Sequence, residues 1–437
     1  MEEQITPLAI TDFRNSQKVF GIKAQDRLSH LYVLGKTGTG KTTLLKNMII
    51  SDIEKGNGLA VIDPHGDLAE SLLDFIPEER IRDVIYLNPA DQGFPFSFNP
   101  LENTNPENRH LIASNLISVL KKIWGESWGP RMEYILRNAL LTLLEYPGST
   151  LIDLQQLLSD KDFRNNVIQQ IESVQLIDFW QKEFDKYSAH LKSDAVSPIQ
   201  NKVGQFLTAP ILRNIFAQEK SSFNFRHIID EGKILIVNLS KGKIGEDMCV
   251  LVGSLFTTSF ELAALSRSDI KEKKRKPFYL YIDEVQSFIT ASFASMLSES
   301  RKYRLGLILA HQYLEQLDED IRHSLFGNTG TLISFRLGQE DAEILEKEFH
   351  PVFNQDDILN LANHHIYLKL MIDGIASQPF SAKTLPPFGN KTDYQEEIIK
   401  NCRTLYARPK EEVEKEILHK RNRRSFIINK PNEQRLF

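Results

Sequence analysis

The segment from Gly35 to Thr42 constrains the fold of this chain more than any other feature, because it reads Gly-Lys-Thr-Gly-Thr-Gly-Lys-Thr. This spacing is that of a phosphate-binding loop, in which glycines let backbone N–H groups turn toward an anion at a helix N-terminus. An apolar run at 31–34 precedes the loop, and a helical pattern at 42–53 follows it. The order of strand, glycine turn and helix predicts a P-loop nucleotide-binding fold rather than a chance glycine-rich turn.

The chemistry of this loop suits the phosphates of a nucleotide. Lys41 is expected to reach the β- and γ-phosphates, and the Thr42 hydroxyl is expected to be a ligand of Mg²⁺. ATP and Mg²⁺ are therefore the predicted cofactors. The residues predicted to bind the nucleotide are Gly35, Lys36, Thr37, Gly38, Thr39, Gly40, Lys41, Thr42 and Thr43.

A second apolar run, at 278–282, ends in the acidic pair Asp283 and Glu284. Two adjacent carboxylates after a buried strand can serve two tasks in a P-loop enzyme. Asp283 is predicted to hold Mg²⁺, and Glu284 is predicted to polarise the attacking water as a general base. The competing interpretation is a strand that simply ends in solvated acids.

Three further residues are candidates for a role in hydrolysis. Gln312 follows the apolar run 305–309, where its amide could lie near the γ-phosphate; a glutamine that caps a loop is the alternative. Arg301 is predicted to be an arginine finger from a neighbouring subunit, which stabilises charge on the transferring phosphoryl group. A solvated helix face is the alternative for Arg301. Arg336, after the run 332–335, is the second candidate arginine.

Seven apolar runs predict the strands of an α/β fold. Because the runs are nearly continuous rather than alternating, they indicate strands buried on both faces of a mostly parallel sheet. The stretch 106–218 contains only helical patterns, which predicts an all-helical domain inserted into a RecA-like P-loop NTPase core. The predicted strands are 31–34, 59–62, 84–87, 234–237, 278–282, 305–309 and 332–335. The predicted parts of the chain are an N-terminal segment (1–30), the core (31–105 and 219–388), the inserted domain (106–218) and a polar C-terminal tail with a helix (389–437).

The composition indicates a soluble globular protein. The chain has 437 residues, of which 41% are hydrophobic and 25% charged, and a formal net charge of −5. Cys249 and Cys402 lack the spacing of a disulfide framework or a zinc site, which favours a reducing cytosol. No secretory signal is evident, and the apolar stretch 250–265 reads as a buried helix that is too short to span a membrane. A cytoplasmic location without direct membrane insertion is expected, with any membrane association through a partner.

Together these motifs resemble the HerA/FtsK superfamily of hexameric DNA-pumping ATPases, and within it the soluble motor part of type IV secretion coupling proteins. The resemblance rests on the P-loop, on Ile-Asp-Pro-His-Gly-Asp at 62–67, on Asp283-Glu284 and on Gln312. It spans residues 28–388. Phe-Asn-Pro-Leu at 98–101, followed by the helical stretch, is also similar to the coupling-protein plan.

The resemblance implies a role for each motif. Lys41 and Thr42 would bind Mg-ATP, and Asp283 and Glu284 would be the Walker B acids. Gln312 would be the glutamine sensor, whereas Arg301 would be the trans-acting arginine, with Arg336 where a second arginine can contribute. The residues at 63–67 would lie beside the nucleotide without an assigned role. Two features typical of relatives, an N-terminal membrane anchor and an N-terminal β-barrel that docks a nuclease, are not expected in this chain.

The leading hypothesis is therefore a homohexameric ring that hydrolyses ATP between subunits and pumps DNA, with double-stranded DNA favoured, through its pore. A nuclease, a relaxosome or a secretion complex is the expected kind of protein partner. Lys241 and Lys243 flank a glycine after a core strand and are candidates for contacts with DNA phosphates, with a solvated loop as the alternative. Two other functions stay open: a motor that moves polypeptide, and a nucleotide-dependent assembly subunit of a defence or secretion complex.

Overall fold

The computed structural model of the chain contains two compact units, which we treat separately. The first unit consists of Met1–Asn88 and Asn224–Cys402, and the second consists of Pro89–Phe223 and Arg403–Phe437. The residues that the structure describes are 4–12, 17–102, 105–125, 128–290 and 292–428.

The first unit is built on an 11-stranded sheet with the strand order β2-β1-β13-β10-β9-β3-β8-β7-β4-β6-β5, and it also holds a two-stranded hairpin, β11-β12. In chain order the strands are β1 Ile5–Thr11, β2 Val19–Lys23, β3 Leu31–Leu34, β4 Gly58–Asp63, β5 Val84–Leu87, β6 Ile234–Asn238, β7 Phe278–Ile282, β8 Leu305–His311, β9 Thr331–Ser334, β10 His365–Lys369, β11 Met371–Ile372, β12 Ile375–Ala376 and β13 Phe380–Thr384.

The stretch of this sheet from β9 to β5 is entirely parallel. Its strands are the seven predicted from the sequence, and every residue of β3, β4, β7 and β8 is buried. Helices cover both faces of such a sheet, so each strand position takes an apolar residue. The predicted α/β fold with a mostly parallel sheet is confirmed.

Beyond β9 the sheet continues with the antiparallel strands β10, β13, β1 and β2. The sequence analysis did not predict these strands, because each buries only some of its residues and no long apolar run results. β10, for example, buries only Ile366 and Leu368 fully. The N-terminal segment 1–30 is consequently part of the sheet through β1 and β2, a division of the chain that differs from the predicted one.

The helices of the chain surround this sheet or build the second unit. In chain order they are α1 Ala24–Arg27, α2 Lys41–Glu54, α3 Asp67–Leu72, α4 Arg109–Trp124, α5 Pro130–Glu145, α6 Asp153–Ser159, α7 Lys161–Ile168, α8 Val174–Asp178, α9 Ala189–Thr208, α10 Pro210–Phe216, α11 Phe225–Glu231, α12 Lys241–Ile244, α13 Glu246–Ser266, α14 Phe293–Glu299, α15 Glu319–Asn328, α16 Gln339–Phe349, α17 Gln355–Leu359, α18 Gln395–Tyr406 and α19 Lys410–Ile428.

Helix α13 contains the apolar stretch that the sequence predicted to be a buried helix. Within the described residues it is the one helix that is long and apolar enough to cross a membrane, but 72% of its most apolar window is buried. Phe256 and Phe260 of α13 pack edge-to-face against Phe225 of α11. These contacts identify α13 as a core helix of the first unit, so the prediction of a buried helix is confirmed. The prediction that the apolar stretch is too short to span a membrane is wrong, because the helix extends beyond the apolar run at its N-terminal end.

The second unit is helical, and its described residues between 106 and 223 contain no strand. Trp180 is fully buried there and donates its indole N–H to the Thr142 hydroxyl at 2.8 Å. The helical pattern is not regular throughout this unit: α8 ends at Asp178, and a π-helical turn follows over Phe179–Glu183. A π-helical turn has more residues per turn than an α-helix, which a regular 3.6-residue period cannot show.

The C-terminal stretch also differs from the predicted polar tail. In the first unit Cys402 on α18 is buried, and its sulfur accepts a hydrogen bond from the Tyr86 amide of β5 at 3.2 Å. The residues from Arg403 onward, including α19, belong to the second unit. A few apolar residues on otherwise polar helices are enough for this packing, because only one helix face is buried.

Candidate nucleotide site

Except for Arg301, the candidate residues for catalysis and nucleotide binding lie along one edge of the sheet. In a parallel sheet all carboxyl ends of the strands meet at the same edge, where α/β proteins bind their ligands. The strands β9, β3, β8, β7, β4 and β6 are consecutive neighbours, so the loops that follow them form one continuous row. These loops carry Arg336 after β9, the P-loop after β3, Gln312 after β8, Asp283 and Glu284 after β7, residues 64–66 after β4, and Lys241 after β6.

The P-loop is shaped by its glycines and by one buried lysine. Gly38 and Gly40 have φ angles of 77° and 121°, a region that favours glycine. Lys41 is buried, and its ammonium group donates to the backbone oxygens of Gly35 and, at 3.1 Å, of Lys36. Burial lowers the pKa of Lys41, while the negative charges of Asp283 and Glu284 oppose that shift. The cation thus stands at the centre of the loop, where phosphates are expected.

The other side chains of the loop have distinct environments. Thr39 is buried and its hydroxyl donates to the Lys36 carbonyl at 2.7 Å, which stabilises the turn. Thr37 and Thr42 are exposed, while Lys36 and Thr43 are half-buried. An exposed hydroxyl at Thr42, the second residue of α2, is free to act as a metal ligand.

The P-loop packs closely against residues that follow β9 and precede β10. A Cβ atom on Gly35 would lie 2.6 Å from the Cβ atom of Phe335, so only glycine fits there. On the next turn, the Thr39 carbonyl accepts a hydrogen bond from the His364 amide at 2.9 Å. These contacts fix the loop from outside its own sequence, and the motif alone did not indicate them.

Asp283 has the environment of a metal ligand. Its side chain is buried, and burial together with the nearby Asp63 charge raises its pKa to about 6. The donor set formed by a carboxylate and the Thr42 hydroxyl fits Mg²⁺, which takes few oxygen ligands from the protein and completes its shell with water and phosphate oxygens. A divalent cation would favour the charged form of Asp283 and remove the cost of burying it.

Glu284 is held by side chains from other loops. Its backbone has φ 48° and ψ 54°, a conformation that is uncommon for residues other than glycine. One carboxylate oxygen, Oε1, lies 2.7 Å from His65 Nε2 and accepts a hydrogen bond from the Gln312 amide, also at 2.7 Å. The other, Oε2, lies 3.4 Å from the Lys241 ammonium nitrogen. The candidate base is therefore already engaged at both oxygens.

Gln312 links the two halves of the site. While its Nε2 donates to Glu284, its Oε1 accepts a hydrogen bond from the Thr37 hydroxyl of the P-loop at 3.0 Å. The neighbouring His311 is buried and contacts the Tyr32 hydroxyl through Nδ1 at 2.8 Å. Burial lowers the pKa of His311 to about 3, so the ring is neutral and structural.

The turn after β4 supplies two groups whose roles were not predicted. Asp63 is buried and its carboxylate accepts hydrogen bonds from the amides of His65 and Ala69, each at 2.9 Å. These bonds order the turn and the start of α3. His65 is thereby placed where its ring reaches Glu284. Sequence reasoning missed this contact and that of Lys241; the signal available was that both residues directly follow buried strands.

The two candidate arginines lie at opposite ends of the sheet. Arg336 follows β9 beside the P-loop of its own chain, and its carbonyl accepts a hydrogen bond from the Lys36 amide at 3.0 Å. Arg301 is exposed in a 3-10 turn, Ser300–Tyr303, that precedes β8. Since β8 has seven residues, it separates Arg301 from the Gln312 edge by about 23 Å. Arg301 is therefore remote from the nucleotide site of its own chain.

Comparisons with known proteins identify the fold and the family. No curated protein matches the sequence. Among solved structures, bacterial conjugative coupling protein TrwBdeltaN70 in complex with sulphate superposes with a TM-score of 0.64 at 18% identity, covering 90% of this chain and 92% of that chain. The plasmid coupling protein TrwB in complex with ADP and Mg²⁺ gives a TM-score of 0.63 at 17% identity, over 90% and 98% of the two chains.

A third solved structure, VirB4 of Thermoanaerobacter pseudethanolicus, gives a TM-score of 0.59 at 15% identity, over 90% of this chain and 98% of that chain. Identities this low establish a shared fold. The sequence model described as the type IV secretion-system coupling protein DNA-binding domain matches residues 18–348, which include the P-loop, the acidic pair and Gln312. A match over this much of the chain identifies the family: the chain belongs to the type IV secretion-system coupling protein DNA-binding domain family, with the P-loop NTPase fold that the sequence predicted.

Proposed function

We propose that this chain hydrolyses ATP and uses the reaction to move DNA through a ring of identical subunits. The observation that carries the proposal is the Gln312 side chain, which bridges Thr37 of the P-loop and the carboxylate of Glu284. A single amide thus connects the phosphate-binding half of the site to the candidate base. A protein that only bound nucleotide as a switch would have little need of this connection.

The P-loop residues would hold the nucleotide. The Lys41 ammonium group would exchange its contacts with Gly35 and Lys36 carbonyls for phosphate oxygens, which are stronger partners because they are charged. Thr42 and Asp283 would supply the protein ligands of Mg²⁺. The bound Mg²⁺ would neutralise charge that develops on the phosphates.

Glu284 would act as the general base, with Gln312 as its positioning partner. The carboxylate would accept a hydrogen bond from the attacking water and remove its proton as the water oxygen bonds to the γ-phosphorus. The bond from that phosphorus to the bridging oxygen would break in the same step, with ADP as the leaving group. Gln312 would orient the carboxylate and sense the P-loop through Thr37. For this step Glu284 must release one of its present contacts, since both oxygens have partners.

Arg301 would complete the site of the neighbouring subunit. Its exposure and its distance from its own P-loop support a contribution in trans, where positive charge stabilises the transferring phosphoryl group. Arg336 lies beside its own P-loop, which supports a contact in cis with the nucleotide of the same chain. Together these positions favour a closed ring, in which every subunit has a neighbour on each side.

DNA is the proposed polymer because the matched family is described as a DNA-binding domain. Contacts would be made mainly to phosphates, so binding would be sequence-tolerant and strongly salt-dependent. Double-stranded DNA, a hexameric ring, a cytoplasmic location and a nuclease, relaxosome or secretion complex as partner are further parts of this proposal. Association with a membrane would occur through such a partner.

The test is ATP hydrolysis measured with long double-stranded DNA, with single-stranded DNA and without nucleic acid, using Lys41→Ala as the blank. Stimulation by DNA that is absent from the blank supports a DNA motor, and the more effective strand form identifies its track. Turnover that ignores both forms of DNA contradicts the proposal and favours a motor for polypeptide or an assembly ATPase.

The trans arginine has a separate test in mixtures of two inactive variants. Lys41→Ala subunits keep Arg301, and Arg301→Ala subunits keep the P-loop. In an equimolar mixed ring about a quarter of the interfaces would combine an intact P-loop with an intact arginine. Recovery of hydrolysis on mixing supports the arrangement, whereas two variants that stay inactive together contradict it.

A further inference from the structure

We propose that Lys241 is a positioning residue whose ion pair with Glu284 prevents this carboxylate from acting as the base. The ion pair would break when the Lys241 ammonium group pairs with a phosphate of DNA instead. The identity of the polymer in this inference rests on the proposed function. The Lys241–Glu284 ion pair, which lies in the first unit, would thus couple polymer binding to hydrolysis.

The first observation is the unequal engagement of the two Glu284 oxygens. Oε1 has two partners, His65 and Gln312, each at 2.7 Å. Among the described residues, Oε2 has a single polar partner, the Lys241 ammonium nitrogen at 3.4 Å. Oε2 is therefore the oxygen that can be freed at the lowest cost, and release of Lys241 would provide the lone pair that the attacking water needs.

The second observation is the unequal burial of the two partners. The Glu284 side chain is 10% exposed, whereas that of Lys241 is 39% exposed. The carboxylate is thus enclosed in the site, but the lysine stem reaches it from the protein surface. An anion in solvent can approach Lys241 without entering the nucleotide site, and its charge competes directly with the carboxylate for the ammonium group.

The third observation concerns the backbone around Lys241. The segment begins at Ser240, with φ 30°, and ends at Gly245, with φ 91°, so the short helix α12 lies between two residues in left-handed conformations. The Lys241 amide donates to the Pro64 carbonyl at 2.8 Å. This bond joins α12 to the turn that places His65, so the two loops that carry the partners of Glu284 are connected through their backbones.

When DNA binds, Lys241 would exchange one anionic partner, the Glu284 carboxylate, for another, a DNA phosphate. Without DNA, the Lys241 ammonium group occupies Oε2 of Glu284, so the attacking water has no free carboxylate oxygen and hydrolysis stays slow. When a DNA phosphate pairs with Lys241, Oε2 of Glu284 becomes free to accept a hydrogen bond from the attacking water. Other polyanions share this chemistry, but an uncharged polypeptide segment does not, so the device distinguishes the two classes of polymer.

The experiment compares Lys241→Met with Lys369→Met in the full chain. Both substitutions remove one lysine from an ion pair with a glutamate; the control lysine pairs with Glu348 at 3.1 Å, away from the nucleotide site. We expect Lys241→Met to raise the kcat measured without DNA about two- to fivefold, the factor for release of one partly exposed ion pair. The KM for ATP should stay constant, because Lys241 does not contact the P-loop.

Two further readouts separate a positioning role from a merely structural one. The ratio of DNA-stimulated to basal kcat should fall toward one in Lys241→Met and stay at the wild-type value in Lys369→Met. Lys241→Arg, which retains the charge, should restore a low basal rate. A basal kcat of Lys241→Met at or below that of the wild type overturns the inference, whatever the ratio of DNA-stimulated to basal kcat.

The outcomes also distinguish this inference from the proposed function. Wild-type turnover that ignores DNA, together with a raised basal kcat in Lys241→Met, contradicts DNA as the polymer and retains the restraint on Glu284. Wild-type turnover that DNA stimulates, together with an unchanged basal kcat in Lys241→Met, retains the DNA motor and overturns the restraint. If neither protein hydrolyses ATP, Lys241 is not what limits the reaction and the inference is also overturned.

Discussion

The two sides of the nucleotide site are built in different ways. The P-loop side is one contiguous segment, positioned by backbone hydrogen bonds such as Gly35 N to His311 O at 3.2 Å and Lys36 N to Arg336 O at 3.0 Å. The acidic side is centred on Glu284, which depends on side chains from the loops after β4, β6 and β8. The first is a local structure supported by its neighbours, whereas the second exists only when distant segments meet.

This difference indicates how each side responds to change. Substitutions in the P-loop, which is positioned by its backbone, should change mainly the affinity for nucleotide. Substitutions among the groups that hold the Glu284 carboxylate should change mainly the turnover, because they reorient the carboxylate while the phosphates remain bound. The following experiments test that division, beginning with the largest expected effect.

Glu284→Gln should lower kcat about 10²–10⁴-fold, the usual contribution of a general base. Glutamine has the same shape and can keep a contact with Gln312, so ATP binding should be preserved. Single-turnover hydrolysis and equilibrium binding of a fluorescent ATP analogue would separate the two quantities. Equal losses of affinity and turnover would show that the two sides of the site are not separable in this way.

Lys41→Ala should weaken ATP binding about 10²-fold or more, because the variant loses charged hydrogen bonds to the phosphates. Lys46→Ala is the matched control: Lys46 lies on the same helix, α2, with its ammonium group 4.6 Å from the centroid of the Phe75 ring. Calorimetric titration with a non-hydrolysable ATP analogue measures both variants. Affinity at the wild-type level in Lys41→Ala would contradict the assignment of the P-loop.

Gly66→Ala should disturb the acidic side by a steric clash. A Cβ atom there would lie 2.2 Å from the Ser240 hydroxyl oxygen, and the backbone has φ 94°. Gly56→Ala is the control, since Gly56 has φ 74° with nothing within 4 Å of an added Cβ atom. The free energy of unfolding should fall by about 1–2 kcal/mol in both variants because of the backbone conformation. In Gly66→Ala it should fall by about 1–3 kcal/mol more because of overpacking.

Denaturant unfolding measures these two free energies, and the same proteins give the ATPase rate. In Gly66→Ala the rate should fall in addition, because the turn that carries His65 moves away from α12. Equal destabilisation of both variants would show that the turn has room for a side chain. The acidic side would then be less tightly assembled than the structure indicates.

His30→Asn should change the pH dependence of stability without changing the nucleotide site. His30 precedes β3, at the opposite end of the sheet from the P-loop. It is buried, with Nε2 3.0 Å from the Leu297 carbonyl oxygen and Nδ1 as acceptor for the Leu307 amide at 3.1 Å. Burial and the nearby Arg301 lower the pKa of His30 to about 4, so the folded protein keeps the ring neutral.

The sign of this effect follows from the two pKa values. The unfolded chain binds a proton near the ordinary pKa of 6.5, but the folded chain binds it only near 4. Acidification from pH 7 to pH 5 therefore costs about 2 kcal/mol of stability through this residue. Asparagine tolerates the positive φ of 66° at this position and does not titrate. If the stability of the wild type and that of the variant change in parallel with pH, His30 is not the source of this pH dependence.

The predicted parts of the fold were those whose residues repeat a clear pattern. The strands from β9 to β5 are buried on both faces, so each produced an apolar run. β10, β13, β1 and β2 bury only some of their residues and produce no long apolar run, so they were missed. The turn into a π-helix after Asp178 was also invisible, since it changes the hydrogen-bond pattern without a change in composition.

By itself, the sequence determined the phosphate loop, the acidic pair and the parallel strands that carry them, because each depends on residues that are adjacent in the chain. Only the tertiary structure decided which loops meet. The strand order β3-β8-β7-β4-β6 places Gln312, His65 and Lys241 around Glu284. Contacts between side chains distant in sequence depend on this order and on burial, and neither is encoded in a local pattern.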